Sequence, residues 1–209
     1  STKKEVDLIS AAKRKKMRIT CEVSPHHIFL DDSLTKELGN FAKVNPPLRG
    51  KKTVLELWSA LKSGKIDILA TDHAPHLREE KELGYWEAPS GMPGLDTALL
   101  LMLDAVNKRR LSLQKVVSLY SYMPSKVFKI YNKGEIAVGK DADLVLVDLK
   151  AKTKISKEKL FTKCGWSPYE GTQIQGAIRR TILAGKTAYD GESVISRMGE
   201  GKELRFGKI

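Results

Sequence analysis

The sequence contains few cysteines, few aromatic residues and no long apolar run. Only Cys21 and Cys164 among its 209 residues are cysteines, which is too few for a disulfide framework and predicts a reducing, cytoplasmic setting. The longest apolar stretch, residues 98–103, is flanked by Asp96 and Asp104 and is much shorter than the roughly 18 residues that a membrane span requires. We therefore expect neither a disulfide-stapled secreted domain nor a membrane protein.

Acidic residues are scarce relative to basic ones, and the formal net charge is +12. A basic surface can indicate a nucleic-acid partner. The lysines and arginines are scattered along the chain, however, and no nucleic-acid-binding motif or interleaved aromatic residue accompanies them. A nucleic-acid-binding module is thus an alternative that rests on net charge alone, and we expect no nucleic acid among the partners. The hydrophobic content of 41% is sufficient for a globular core.

Hydrophobic periodicity in the first third of the chain alternates between helix and strand. Residues 2–16 and 53–63 have apolar residues at helical spacing, with Ser1 or Thr2 as an N-cap and Gly64 as a C-terminal stop. Residues 17–23 and 66–71 are short apolar runs that predict strands. This order of elements is typical of an α/β protein with a parallel sheet.

The pattern changes after two further predicted helices, at residues 94–108 and 112–131, the second bent or interrupted at Pro124. Residues 134–149 and 178–189 are short apolar runs divided by glycine-containing turns, which favours antiparallel β-structure. We therefore predict two domains, at residues 1–132 and 133–209.

The strongest candidate for a reactive group is Asp72, which follows the predicted strand at residues 66–71 and precedes His73 and His76. A carboxylate at the end of a buried strand can bind a divalent metal ion and can accept a proton from water. The alternative is a polar turn after a core strand, in which Asp72 only caps a helix or a turn.

Several motifs in register support the reactive interpretation. They are CEVSPHH at residues 21–27, NPPLR at residues 45–49, ATDHAPH at residues 70–76, APSGMPGLDTA at residues 88–98 and GEIAVGKDADLV at residues 134–145. In this order the sequence resembles the dihydroorotases of the amidohydrolase superfamily, whose patterns include E-V-T-P-H-H, N-P-P-L-R and A-T-D-H-A-P-H. The resemblance extends over nearly the whole chain.

The resemblance implies a metal-dependent hydrolase that uses zinc, as one or two ions, to interconvert N-carbamoyl-L-aspartate and L-dihydroorotate in pyrimidine biosynthesis. Asp72 matches the family residue that binds zinc and carries a proton between the attacking water and the amide nitrogen. Asn45, His76, Ser90 and Gly91 match positions that contact the substrate, with His76 placed against its carboxylate. His26 and His27 would be neighbours of the site rather than zinc ligands, because adjacent residues on a strand point to opposite faces. His73 is expected to have a similar supporting or packing role.

The resemblance also implies the fold, which is the C-terminal part of a (βα)8 TIM-like barrel plus strands of a small β-sandwich module. Only two parallel strands are predicted, whereas a closed barrel needs eight. The chain begins at Ser1-Thr2, which matches the end of the family's H-V-S-T pattern, so the remaining metal ligands would lie in a companion N-terminal half. We accordingly expect the isolated 209-residue chain to be inactive.

Besides the nucleic-acid-binding module, two functional alternatives remain open at the level of sequence, and a homo-oligomer is a possible form of assembly. Allantoinase and dihydropyrimidinase share the barrel and the aspartate, but Asn45 and His76 have the dihydroorotase-type identities. A non-catalytic relative that supports aspartate transcarbamoylase is a second possibility, although such relatives commonly lose metal ligands and Asp72 is retained.

Overall fold

The computed structural model describes residues 1–207, which form two compact units, each made of two chain segments. The first unit comprises Ser1–Leu101 and Lys154–Gln173, and the second comprises Met102–Thr153 and the chain from Ile174 onward. The predicted domain boundary at residues 132–133 stays a prediction about the complete protein, since these units are defined by contacts within this chain alone.

The first unit contains several helices and one parallel strand pair. The helices are α1 (Lys3–Arg14), α2 (Pro25–Phe29), α3 (Thr35–Leu38), α4 (Lys51–Lys62), α5 (Arg78–Lys81) and the start of α6 (Leu95–Asn107), with 3-10 turns at Asp32–Leu34, Gly39–Ala42 and Lys157–Lys159.

Capping residues set the ends of the two long helices near the N-terminus. Thr2 accepts a hydrogen bond from the Glu5 amide, and the Glu5 side chain accepts one from the Thr2 amide, which is a capping box. After α4, Gly64 adopts a φ of 78°, a left-handed conformation that glycine tolerates best. Both ends agree with the predicted cap and stop.

The two predicted strands pair in parallel. β1 (Glu22–Val23) lies beside β2 (Ile68–Leu69), with Glu22 opposite Ile68 and Val23 opposite Leu69. Both are shorter than predicted, and within residues 1–207 each strand is hydrogen-bonded only to the other. Parallel pairing brings the residues that follow each strand to the same edge.

The core of the first unit lies between this strand pair and the buried face of α4. Trp58 packs edge-on against Phe29 at 5.3 Å between ring centroids, and its indole N–H donates a hydrogen bond to the Ile28 carbonyl. The other fully or nearly fully buried side chains around them are those of Val23, Ile28, Leu57, Leu61, Ile66, Ile68 and Leu69.

The second unit combines irregular helices with an antiparallel hairpin. Residues predicted as one bent helix form α7 (Leu113–Val117), a π-helical turn (Ser118–Tyr122) and α8 (Met123–Val127). Pro124 has no amide hydrogen to donate to the carbonyl four residues earlier, so the irregularity extends one turn before the proline.

The sheet of the second unit has the order β3 (Leu144–Lys154), β4 (Gln173–Leu183) and β5 (Lys186–Tyr189). β4 and β5 are antiparallel and are joined through Ala184 and Gly185, both at positive φ, as a tight hairpin turn requires. β3 begins ten residues later than the predicted start at residue 134, because residues 134–143 form turns in which Ile136 and Val138 are exposed. Among the described residues, no helix is long and apolar enough to cross a membrane.

Candidate active site

Asp72 lies three residues beyond the end of β2, in a left-handed backbone conformation with a φ of 48°. Aspartate is one of the few non-glycine residues that adopts this region with modest strain. Its side chain is half exposed, and one carboxylate oxygen lies 3.7 Å from Nε2 of His26. The carboxylate is therefore presented to solvent at the edge where the parallel strands end.

A chain of polar contacts connects Asp72 with the proline loop. The Ser24 hydroxyl lies 3.1 Å from Nε2 of His26 and 2.9 Å from Nδ1 of His27, and Nε2 of His27 lies 3.0 Å from the Pro46 carbonyl. A carbonyl only accepts, so His27 carries its proton on Nε2. Its Nδ1 then accepts from Ser24, and the Ser24 oxygen accepts from Nε2 of His26.

Both imidazoles in this chain are buried, and burial lowers their pKa values. The pKa of His26 falls to about 3, with the neighbouring His27 as a further cause, and the pKa of His27 is also lowered. Both rings are therefore neutral at neutral pH. Their positions fit a supporting role beside Asp72.

The conformation predicted for the histidine pair is wrong, although the expected neighbouring position agrees with the structure. His26 and His27 lie in α2, not on a strand, and their ring centroids are 4.3 Å apart. Pro25 is at the start of this helix, where its fixed φ and missing amide hydrogen favour helix initiation. The two rings can consequently share Ser24, which a strand would prevent.

Asn45 is exposed on a loop that its buried neighbours hold in place. Val44 and Leu48 are 5% and 6% exposed, whereas Asn45, Pro46 and Pro47 face solvent. The Asn45–Pro46 peptide bond is cis. Because Asn45 is exposed, its amide side chain is available to a ligand as both donor and acceptor.

Gly91 lies where a larger residue would collide with the segment after Asp72. A Cβ atom at this position would stand 2.7 Å from the Ala74 carbonyl oxygen and 3.0 Å from Nε2 of His76. The Gly91 amide donates to the Lys43 carbonyl at 2.9 Å, and the Ala74 amide donates to the Met92 carbonyl at 3.2 Å. Gly91 therefore joins the loop that carries Asn45 to the segment that carries His76, while the preceding Ser90 stays exposed.

His76 is partly exposed, and its main chain is held by a hydrogen bond from another segment. Its carbonyl accepts a hydrogen bond from the indole N–H of Trp166 at 2.8 Å, and its Nδ1 lies 3.8 Å from a carboxylate oxygen of Glu80. The structure thus brings Asn45, His76 and Ser90–Gly91 together through backbone contacts, and connects Asp72 to them through the histidine pair.

Sequence reasoning missed several residues that support this site. Lys81 is 1% exposed, although lysine is rarely buried. Burial and the nearby charge of Lys43 lower its pKa to about 8. His73, unlike Lys81, is expected from the sequence to have a supporting or packing role, and its Nδ1 accepts from the amides of Gly94 and Leu95 at the start of α6, at 3.1 and 3.2 Å. Trp166 lies far from the motifs in sequence, and only a three-dimensional structure could associate it with His76.

A complete metal site is not present within residues 1–207, where no group of three or more histidine, cysteine, aspartate or glutamate side chains could hold an ion. The half-exposed carboxylate of Asp72 is nevertheless a suitable single ligand for a divalent cation. The described residues thus fit one part of a metal site, and further ligands would have to come from outside them.

Comparisons with known proteins agree on one family. Residues 4–188 match the model of the amidohydrolase family. Dihydroorotase from Halobacterium salinarum is 43% identical over 175 residues, which cover 84% of this chain and 41% of that protein. Dihydroorotase from Pyrococcus horikoshii is 42% identical over 179 residues, covering 86% of this chain and 41% of the relative.

Solved structures give a similar result. L-Hydantoinase (dihydropyrimidinase) from Arthrobacter aurescens superposes with a TM-score of 0.94 at 34% identity, covering 98% of this chain and 46% of the other. D-Hydantoinase (dihydropyrimidinase) from Thermus sp. superposes with a TM-score of 0.90 at 30% identity, covering 97% and 46%. The chain therefore spans less than half of the relatives it matches. By the extent of the family match, it belongs to the amidohydrolase family.

Proposed function

We propose that the complete protein is a dihydroorotase, which interconverts L-dihydroorotate and N-carbamoyl-L-aspartate. The observation that carries this proposal is the contact between the Gly91 amide and the Lys43 carbonyl, with His76 against Gly91. This contact unites the three segments whose identities favour a dihydroorotase. The curated relatives with that name, at 43% and 42% identity, support the same activity.

We further propose that the strand pair is part of a (βα)8 barrel and that the sheet of the second unit belongs to a small β-sandwich. The parallel register of β1 and β2 supports the barrel, since all strands of such a barrel are parallel. The remaining strands and metal ligands would be contributed by a companion N-terminal half.

Zinc is the cofactor we propose, with Asp72 as one ligand. When bound, zinc would polarise the substrate carbonyl and lower the pKa of water. The carboxylate of Asp72 would take the proton from the attacking water and give it to the ring nitrogen as the carbon–nitrogen bond breaks. His26, neutral and held by Ser24, would limit the directions available to that carboxylate.

The substrate would be oriented by the exposed groups around Asp72. Dihydroorotate carries a carboxylate, which His76 can bind, and ring amides, which the Asn45 side chain can contact as donor and acceptor. The peptide of Ser90–Gly91 would close against the ring, because glycine leaves space for close approach.

A hydrolase of hydantoin or dihydropyrimidine rings is the second candidate. It is favoured by the TM-score of 0.94 with L-hydantoinase. The substrates of this class lack the carboxylate of dihydroorotate, so they would offer His76 no anionic group to bind.

The two candidates are separated by assaying the full-length, zinc-loaded protein with L-dihydroorotate, hydantoin, dihydrouracil and allantoin under identical conditions. The proposal expects kcat/KM for L-dihydroorotate to exceed the others by at least about 100-fold. Preference for hydantoin or dihydrouracil would replace it with the second candidate. Absence of turnover with every substrate would favour a non-catalytic scaffold, for which co-purification with aspartate transcarbamoylase is the direct test.

We also propose a cytoplasmic location, based on two buried cysteines that form no disulfide.

A further inference from the structure

Lys81 is a buried lysine at the end of α5 whose ammonium group donates its hydrogen bonds to backbone carbonyls. Its Nζ donates to the carbonyls of Lys43, Pro89 and Gly91 at 3.1, 2.8 and 2.9 Å. An ammonium group has three donors, so all of them are used. In the part of the chain that the structure describes, no carboxylate pairs with it. A buried charge is usually paired, so this arrangement indicates a specific use.

The carbonyls that Lys81 contacts belong to the two loops that present candidate substrate residues. Pro89 and Gly91 flank Ser90, and Lys43 precedes Asn45 by two positions. The Lys43 carbonyl also accepts a hydrogen bond from the Gly91 amide at 2.9 Å. The same oxygen therefore accepts two hydrogen bonds, one from Gly91 and one from Lys81. The ammonium group therefore fixes the separation of these loops.

The third substrate segment is attached to the same cluster. A Cβ atom on Gly91 would stand 3.0 Å from Nε2 of His76, so Gly91 and the His76 ring are close neighbours. Trp166 donates to the His76 carbonyl, and its ring centroid lies 6.0 Å from Nζ of Lys81. The side chain of Lys81 thus lies at the centre of the contacts that hold Asn45, Ser90–Gly91 and His76.

We propose that Lys81 is a positioning residue for substrate binding, which sets the spacing of Asn45, His76 and Ser90–Gly91 without touching the substrate. This inference rests on the proposed dihydroorotase activity. Misplacement of binding groups by about 1 Å can weaken a reaction on the order of 100-fold. Since Asp72 is held through the histidine pair and not through Lys81, the proton transfer should be affected less than the binding.

The test is Lys81→Met in the full-length, zinc-loaded protein, because methionine fills a similar volume and donates no hydrogen bond. We expect KM for L-dihydroorotate to rise at least about tenfold, kcat to change less than about threefold and zinc content to stay the same. The matched control is Lys62→Met, which removes an exposed lysine of α4 and should leave both constants unchanged. A Lys81→Met enzyme with unchanged KM, or with a loss confined to kcat, would overturn the inference.

A double-mutant cycle distinguishes positioning from general destabilisation. If Lys81 acts through Asn45, the effects of Lys81→Met and Asn45→Ala on KM should be less than additive when combined. Additive effects would show that Lys81 does not act through that loop. Should Lys81→Met fail to fold, Lys81→Gln keeps two donors on a shorter side chain without the charge, and a smaller KM increase with the same coupling to Asn45 is expected of it. If the unmodified protein does not turn over dihydroorotate, the proposed function fails, whereas an active protein with no KM effect rejects only the role of Lys81.

Discussion

The backbone at Asp72 has a positive φ that few side chains adopt, which costs about 1–3 kcal/mol for an ordinary residue. Asparagine tolerates the same conformation, so it can replace Asp72 without changing the local backbone. What asparagine cannot do is accept and return a proton as a carboxylate does. Asp72→Asn can therefore remove the proton-transfer group without changing the local backbone conformation.

We expect Asp72→Asn in the full-length protein to lower kcat by at least about 1,000-fold, since it removes both proton transfer and an anionic metal ligand. The melting temperature of the apo form should change little. Steady-state kinetics and thermal unfolding of the apoprotein would test this. Retention of a tenth or more of the original kcat would contradict the assignment of Asp72.

Substitution of Asn45 or His76 is expected to affect substrate binding and not the metal, because we propose that both side chains contact the substrate. Either alanine variant should lower kcat/KM for L-dihydroorotate about 10–100-fold while the zinc content per chain is preserved. Metal analysis of the purified variants accompanies the kinetics. Loss of zinc in His76→Ala would identify a ligand where we place a substrate contact.

At the level of elements, α6 begins at Leu95, and the ring of His73 takes the place of a capping side chain there by accepting from the Gly94 and Leu95 amides. His73→Ala should therefore lower the free energy of unfolding by about 0.5–2 kcal/mol, as loss of an N-cap does. His73→Asn should recover part of this loss, because a shorter acceptor remains. Urea unfolding of the apoprotein measures both variants. Full stability of His73→Ala combined with loss of zinc would assign the ring to the metal instead.

Helices with strong local signals could be predicted from the sequence to within about two residues. The capping box at Thr2 and the glycine at position 64 define α1 and α4 in sequence as well as in space. α2 could not be predicted, because Pro25 starts a helix only five residues long, which has no periodicity of its own. The burial of Lys81 could not be predicted from the sequence either, since its partners are backbone carbonyls that no side-chain pattern encodes.

At the level of the whole molecule, we propose that this chain is one part of a larger catalytic unit. Two parallel strands cannot close a barrel, and the described residues contain no cluster that could hold a metal ion. We expect residues 1–209 alone to bind no stable zinc ion and to show no ring opening in a coupled spectrophotometric assay. A purified, monomeric chain of this length with full activity and bound zinc would refute the half-barrel proposal.

The parallel pair of β1 and β2 has a consequence for handling the protein. Within residues 1–207 the outer edge of each strand has no neighbouring strand, and Met17 and Ile19, just before β1, are 59% and 39% exposed. Open strand edges beside apolar side chains are templates for pairing between molecules. The isolated chain should consequently self-associate as its concentration rises, with increasing light scattering, and co-expression with an N-terminal half should suppress this aggregation by covering the same edges.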